Sequence, residues 1–220
     1  MIILHLNGAD GMATVLGIDP SLSGTAFVVL KDGELHNYCF FTDVIKVAKA
    51  SPKHAILNKA TGIERLNKIY ESYDELLAFN SGRIDCVGIE NYAFGATSNS
   101  VFQIGGCGEL LRLLTYREKI PYKEFEPSVV KKFATGNGSA QKSEMVLAAY
   151  KDGFDVSPYG KNGEDLADAY WIAKMITRNL QILDDKKYLQ VMPAKEREVW
   201  NATSKKNPIP LIDRSFIGGA

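Results

Sequence analysis

The stretch VLGIDPSLSGTAFVVLKDGELHNYCFF, residues 15–41, decides the fold. Val15 to Asp19 is a short apolar run that ends on a carboxylate. Pro20 to Gly24 reads as a turn, and Thr25 to Leu30 as a second strand of apolar and β-branched residues. Asp32-Gly33 is a two-residue hairpin signal, and Glu34 to Phe41 has the composition of a third strand. Strands joined by such short turns predict an antiparallel meander. Its first strand carries Asp19 to one end of the sheet.

Outward from this meander, residues 42–62 read as an exposed connection broken at Ser51-Pro52. Ile63, Leu66, Ile69, Tyr70, Tyr73, Leu76 and Leu77 then recur at three and four, the stripe of an amphipathic helix. Ser81-Gly82 ends it, and residues 84–90, IDCVGIE, read as a buried strand terminating on Glu90. A Gly-, Ser- and Asn-rich segment, 91–108, leads into the helical ELLRLLTYREK, and residues 120–125 supply one more strand. Pro127 suits a helix start, with Glu126 and Ser128 as competing caps. After the tight loop Thr135 to Gly138, Ser139 is expected to cap a helix reaching Tyr150. The last periodic segment is 164–180. This order predicts an α/β fold, a mixed five-stranded sheet flanked by helices.

Past residue 180 the chain turns basic and irregular, with the isolated aromatics Tyr188, Trp200 and Phe216. Trp200 and the run Ile209–Ile212 need apolar surroundings, so contact with the domain or a partner is expected. The organisation read from this is an N-terminal extension at 1–13, one domain at 14–180 and a C-terminal extension at 181–220.

A chain of 220 residues can bury about 70% of its extended surface, enough for a core without disulfide or metal staples. Cys39, Cys86 and Cys107 fall in no paired spacing and read as reduced thiols of a cytoplasmic protein. No apolar run is long enough to cross a membrane, and the opening MIILHLNGADGM lacks a secretory pattern. A net charge of +0 argues against a protein that coats DNA through a strongly positive surface. It leaves room for an enzyme whose acidic site sits within a basic rim.

Four acids stand out. Asp19 and Glu90 each end a buried-looking strand, where a carboxylate is costly unless something pairs with it. Asp165 and Asp168 lie three apart in DLADAYWIAKMI, on one face of the most apolar helix. Singly, each is as well explained by helix-dipole or surface roles. Together they suit hard divalent cations such as Mg²⁺, which take oxygen ligands and act on phosphodiesters. The loop TGNGSAQKS brings glycines, Ser139 and Lys142 to a helix start that favours anions, while Lys131 and Lys132 project from the helix before it. A nucleotide-binding P-loop is excluded, because Gln141 stands where glycine must precede the lysine.

These motifs resemble the RuvC family of Holliday-junction resolvases, within the RNase H-like nucleases. The family's opening GIDP is Gly17-Ile18-Asp19-Pro20, its IE is Ile89-Glu90, and its lysine-bearing segment matches VVKKFATGNGSAQKSEMV. Its closing motif matches DLADAYWIA, so the resemblance spans about residues 14–178 with all four motifs in order. The resemblance implies an RNase H-like fold and metal ligation by Asp19, Glu90, Asp165 and Asp168. It places Lys142 beside the scissile phosphate and Lys131 on DNA; the loop and helix pattern adds Lys132 and Ser139 as DNA-binding candidates. It further implies two Mg²⁺ per site (Mn²⁺ as substitute), a homodimer and paired symmetric nicks across a four-way junction that leave 5′-phosphates. The dimer would use the helix from about 100 to 117, with Leu110, Leu111, Leu113 and Leu114 at the interface.

The chain departs from the pattern in places. Ser21 replaces a family glycine, and the aromatic wedge position falls on Ala93, leaving Tyr92 or Phe94 as the stacking surface on DNA. With a long 42–62 segment and extended termini, it looks like a bacteriophage or mobile-element version. Two alternatives stand beside the resolvase: an RNase H-like nuclease for flaps, forks or RNA–DNA hybrids, and a branched-DNA-binding protein that no longer cleaves.

Overall fold

The computed structural model describes residues 13–42, 53–56, 61–80, 84–91 and 100–203, with backbone alone at 42, 53–56 and 100–104. Strands β1 (Thr14–Asp19), β2 (Ala26–Lys31) and β3 (Glu34–Thr42) form the expected antiparallel meander. Asp32 and Gly33 take φ of 53° and 83°, the left-handed pair that a tight hairpin between right-twisted strands requires. Strand β5 (Cys86–Glu90) joins the other side of β1 in parallel, and β6 (Tyr122–Phe125) joins β5 in parallel. The mixed five-stranded sheet is therefore present. A short sixth strand, β4 (Lys53–Ile56), adds to its margin, giving the order β4-β3-β2-β1-β5-β6. That strand lies in a segment expected to be a plain connection; the outer edge of β3 offers backbone groups for it to pair with.

Strand alternation divides the core in two. Leu16, Ile18, Phe27, Val29, Val87 and Ile89 face helices α1 (Gly62–Phe79) and α2 (Ser100–Arg117). Thr61 caps α1, exchanging backbone-to-side-chain hydrogen bonds with Glu64. The buried stripe of α1 is narrower than its sequence suggests: Ile69, Tyr73, Leu76 and Leu77 are inside, but Ile63 and Tyr70 are exposed. On α2, Leu111 and Leu114 belong to the core rather than to a free surface, whereas Leu113 and Tyr116 are exposed.

Val15, Val28, Leu30 and Cys86 face the opposite layer, where α5 (Lys161–Asp184) lies across the sheet. It is buried on nearly every side, since α3 (Pro127–Thr135) and α4 (Lys142–Lys151) pack on it from outside. Helix α3 starts with Pro127 as its first residue, and Glu126 at the cap position makes no side-chain cap. Ser139 does not cap α4. Its N–H is taken by Asn137 Oδ1 at 3.0 Å, and Gln141, whose N–H donates to Glu144 Oε2 at 2.7 Å, precedes the helix instead. Lys142 thereby becomes the first residue of α4.

Beyond residue 180 the chain continues α5, makes the short α6 (Tyr188–Val191) and returns as α7 (Ala194–Thr203) against α3. Arg178 Nε donates to the buried Glu196 at 3.0 Å, Lys195 Nζ donates to Ala134 O at 2.5 Å, and Val199 enters the core. Trp200 lies with its ring 5.9 Å from Lys123 Nζ. Ile209–Ile212 and Phe216 lie outside the described residues. All three cysteines are buried free thiols.

Candidate active site

The register of β1 and β5 assembles the site. Gly17 pairs with Gly88 and Ile18 with Ile89, so the next residues, Asp19 and Glu90, end the two strands side by side. Because Leu16, Ile18, Val87 and Ile89 face α1 and α2, alternation turns Asp19 and Glu90 to the layer of α5. There the early part of α5 presents Asp165 and Asp168.

Two glycines set how closely α5 approaches. A Cβ on Gly17 would fall 2.1 Å from Ala169 O and 2.6 Å from Ala173 N. One on Gly88 would meet Ile172 Cγ2 at 2.6 Å. The missing side chains let the helix backbone settle on the strands, which brings its acids to the strand ends. Gly24, in the turn after β1, has the same relation to a side chain: a Cβ there would lie 2.4 Å from Asp165 Oδ2. Gly24 and Gly88 went unmarked in the sequence, where nothing distinguishes a packing glycine from a turn glycine.

The electrostatics record the convergence. Burial, then the charges of Glu90, Asp168 and Asp165, push the Asp19 carboxyl well above its ordinary value. Burial and the charge of Asp168 raise Glu90 to about 7, opposed by a hydrogen bond from Asp19. Asp168 rises to about 6, chiefly by burial, with Lys142 opposing. Asp165 is also raised by burial, against the pull of Lys142. Lys142 Nζ donates to Asp165 Oδ1 at 3.3 Å and lies 3.4 Å from Glu164 Oε2. Partial burial disfavours its charge, but Asp165, Asp168 and Glu164 outweigh that and hold the ammonium above the usual lysine value. Glu164 is a further participant that the sequence reading passed over, although it directly precedes Asp165.

The other expected residues distribute unevenly. Lys131 is near enough for its charge to lower both Glu90 and Asp168. Lys132 turns instead to α7 and pairs with Glu198 at 2.5 Å. Ser139 is exposed in the turn before α4. Tyr92, Ala93 and Phe94 lie outside the described residues. Asn91 Nδ2 donates to Glu126 Oε1 at 2.9 Å, a bond between the end of β5 and the start of α3.

Donor chemistry and charge fit a divalent cation: the carboxylates are raised first by burial and then by one another's charge, with Lys131 and Lys142 opposing. Among the described residues, no three acidic, histidine or cysteine side chains close into a ready coordination shell. The fit is thus one of oxygen type, burial and unbalanced charge. Asp19, Glu90, Asp165 and Asp168 are the residues able to hold such an ion.

Comparison with known proteins follows the same span. Residues 15–177 match the family model described as crossover junction endodeoxyribonuclease RuvC. Crossover junction endodeoxyribonuclease RuvC of Ehrlichia ruminantium (strain Gardel) is 31% identical over 159 residues, covering 72% of this chain and 92% of that protein. The RuvC of Hydrogenovibrio crunogenus is 25% identical, covering 60% of this chain and 69% of its own length. Among solved structures, Thermus thermophilus RuvC in complex with Holliday junction substrate superposes with a TM-score of 0.54 at 22% identity, covering 78% of this chain and 96% of that one. The yeast mitochondrial Holliday junction resolvase Ydc2 gives 0.51 at 14% identity over 82% of this chain and 85% of its own. These two likenesses bear on the fold, which is RNase H-like.

Proposed function

This chain belongs to the RuvC family of crossover junction endodeoxyribonucleases, and on that premise we propose that it resolves four-way DNA junctions by paired, symmetric hydrolytic nicks at the carboxylate cluster. The enzyme is a metal-dependent nuclease, as its family is. We assign the ligand set to Asp19, Glu90, Asp165 and Asp168, holding two Mg²⁺ for which Mn²⁺ can substitute. Such ions would supply Lewis-acid activation of water and of the phosphodiester.

The chain's own residues have separable tasks. Asp19, buried between Glu90 and the acids of α5, is the shared ligand of the cluster. Lys142 is kept protonated by its acidic neighbours, so it offers a permanent cation to the charge that develops on the scissile phosphate. Lys131 reaches the same cluster from α3 and holds the cleaved strand in place, while Lys132 and the exposed Ser139 lie further along the path assigned to DNA. Cleavage leaves a 3′-hydroxyl and a 5′-phosphate. Tyr92 and Phe94 are assigned to stacking on DNA bases. Two symmetric nicks require two copies, and the exposed Leu113 and Tyr116 on α2 make that helix the proposed dimer face. No helix among the described residues is long and apolar enough to cross a membrane, and buried free thiols suit work in the cytoplasm. Residues 14–180 form the nuclease unit in this reading, with 181–203 folded back on it.

The observation that carries the proposal is the side-by-side ending of β1 and β5 beneath α5, which gathers four acids and Lys142. Purified protein should be given mobile four-way junctions, Y-forks, flaps, RNA–DNA hybrids and linear duplex in Mg²⁺, with cuts mapped on every strand. Symmetric nicks restricted to the junction support the reading. Preferred cutting of hybrids or flaps, or asymmetric cuts, would replace it with one of the other nuclease readings.

A further inference from the structure

Asp19 is the last residue of β1 paired to β2, opposite Ala26, so the turn between the strands begins at one of the acids of the site. At the far end of that turn stands Thr25, which is fully buried. Thr25 N–H donates to Ser21 O at 3.1 Å, and Ser21 N–H donates back to Thr25 Oγ1 at 3.0 Å. The Thr25 hydroxyl also donates to Ser21 O. A hydroxyl has one hydrogen and two lone pairs. The hydrogen goes to Ser21 O and one lone pair takes Ser21 N–H, which leaves the other for the thiol of Cys107 in α2, 3.6 Å away. Thr25 O accepts from Phe41 N–H of β3 at 3.0 Å. One threonine thus clasps the turn shut and fastens it to β3 and α2.

The clasped turn reaches the opposite wall of the site. Gly24, next to Thr25, has no left-handed φ, so space and not backbone angle calls for glycine there. A Cβ on it would lie 2.4 Å from Asp165 Oδ2 and 3.4 Å from Asp165 Cγ. The turn therefore leaves from Asp19 and is the surface against which Asp165 rests. These two acids carry like charge and repel each other. Side chains that repel keep a common geometry only when rigid structure stands behind them. We propose that Thr25 is a positioning residue for the metal ligands Asp19 and Asp165, acting through the clasped turn and Gly24. This rests on the assignment of both acids as ligands. Loss of such support behind metal ligands typically weakens metal binding about 10–100-fold.

Thr25→Val keeps the shape of the side chain and removes the hydroxyl, whereas Thr25→Ser keeps the hydroxyl. Thr115→Val is the control. Thr115 is equally buried, and its hydroxyl bonds Tyr73 Oη at 2.9 Å and Leu111 O at 2.7 Å, on the α1 and α2 side of the sheet. In calorimetric titration with Mn²⁺ and no DNA, Thr25→Val should bind at least about tenfold more weakly than the wild type, and Thr25→Ser within about twofold of it. Thr115→Val should melt lower and bind as the wild type does. Unchanged affinity in Thr25→Val, or an equal loss in Thr115→Val, would reduce Thr25 to a structural role. Coupling is reciprocal, so in the wild type Mg²⁺ should slow amide exchange at Ser21 and Thr25 more than at Thr115. Equal slowing at all three would overturn the proposal even if Thr25→Val fails to fold. A wild type that binds no Mn²⁺ would remove the ligand assignment and this proposal with it, whereas the expected pattern of Mn²⁺ affinities supports the proposal whichever DNA is cut.

Discussion

Replacing Gly17 by alanine puts the proposed geometry to its most direct test. The added methyl would fall 2.1 Å from Ala169 O and 2.9 Å from Ala173 Cβ, and ordinary contact begins near 3.4 Å. The nearest obstacle is backbone at the middle of a buried helix, which has no rotamer to change. Strand and helix must therefore part by about 1.3 Å at that contact, the difference between 2.1 and 3.4 Å. Overpacking of this kind costs about 1–3 kcal/mol, which a domain of ordinary stability survives. The site suffers more, because Asp19 rides on the strand while Asp165 and Asp168 ride on the helix. A misplacement of about 1 Å in a reacting constellation lowers rate about 100-fold. Urea unfolding should show the loss of stability, and single-turnover cleavage at saturating Mg²⁺ the loss of rate, with junction affinity kept. Gly88→Ala is the milder companion, since its methyl meets Ile172 and Ile176 side chains that can rotate aside. If Gly17→Ala unfolds and cleaves like the wild type, α5 does not seat on a glycine pair and the account of how the acids meet is wrong.

Asp19→Asn should bind branched DNA, cleave it negligibly in Mg²⁺, and melt higher than the wild type without metal, because it removes a buried charge repelled by three others. Cleavage at wild-type rate would end its assignment as a ligand. Lys142→Ala should lower the cleavage rate far more than the affinity; an equal loss in both would make it a simple DNA contact. Raised carboxylates hold protons more tightly in the folded state than in the unfolded one. Their stabilisation is complete below the unfolded value near 4 and disappears as pH climbs through about 6 for Asp168 and about 7 for Glu90. Metal-free protein should consequently lose melting temperature across that window and regain it with Mg²⁺ at about pH 8; a flat profile would mean the acids do not crowd one another. Arg178→Met should destabilise by about 2 kcal/mol, since Glu196 stays buried without its guanidinium partner; circular dichroism melts would measure it, and no change would show that α7 docks without the pair.

The meander, the strands ending on Asp19 and Glu90, and the helix bearing Asp165 and Asp168 were legible because each is written in local sequence. Alternation, the Asp32-Gly33 turn and three-residue spacing act over a few residues, and their physics needs no distant partner. Ser139 misled for the same reason. It is a sound local cap, but Asn137 competes for the turn and Glu144 holds Gln141, so α4 begins at Lys142. Ile63 and Tyr70 continue the apolar period of α1 past the edge of the surface it covers.

The amino-acid order alone thus determined which residues end the strands and which carry charge. Only the folded chain decided how they meet. The pairing of Gly17 with Gly88, the descent of α5 onto both, the meeting of Lys142 with Asp165 and Glu164, and the return of α7 over α3 all join residues far apart along the chain. Such contacts follow from packing between layers, and no local pattern encodes a distance between layers.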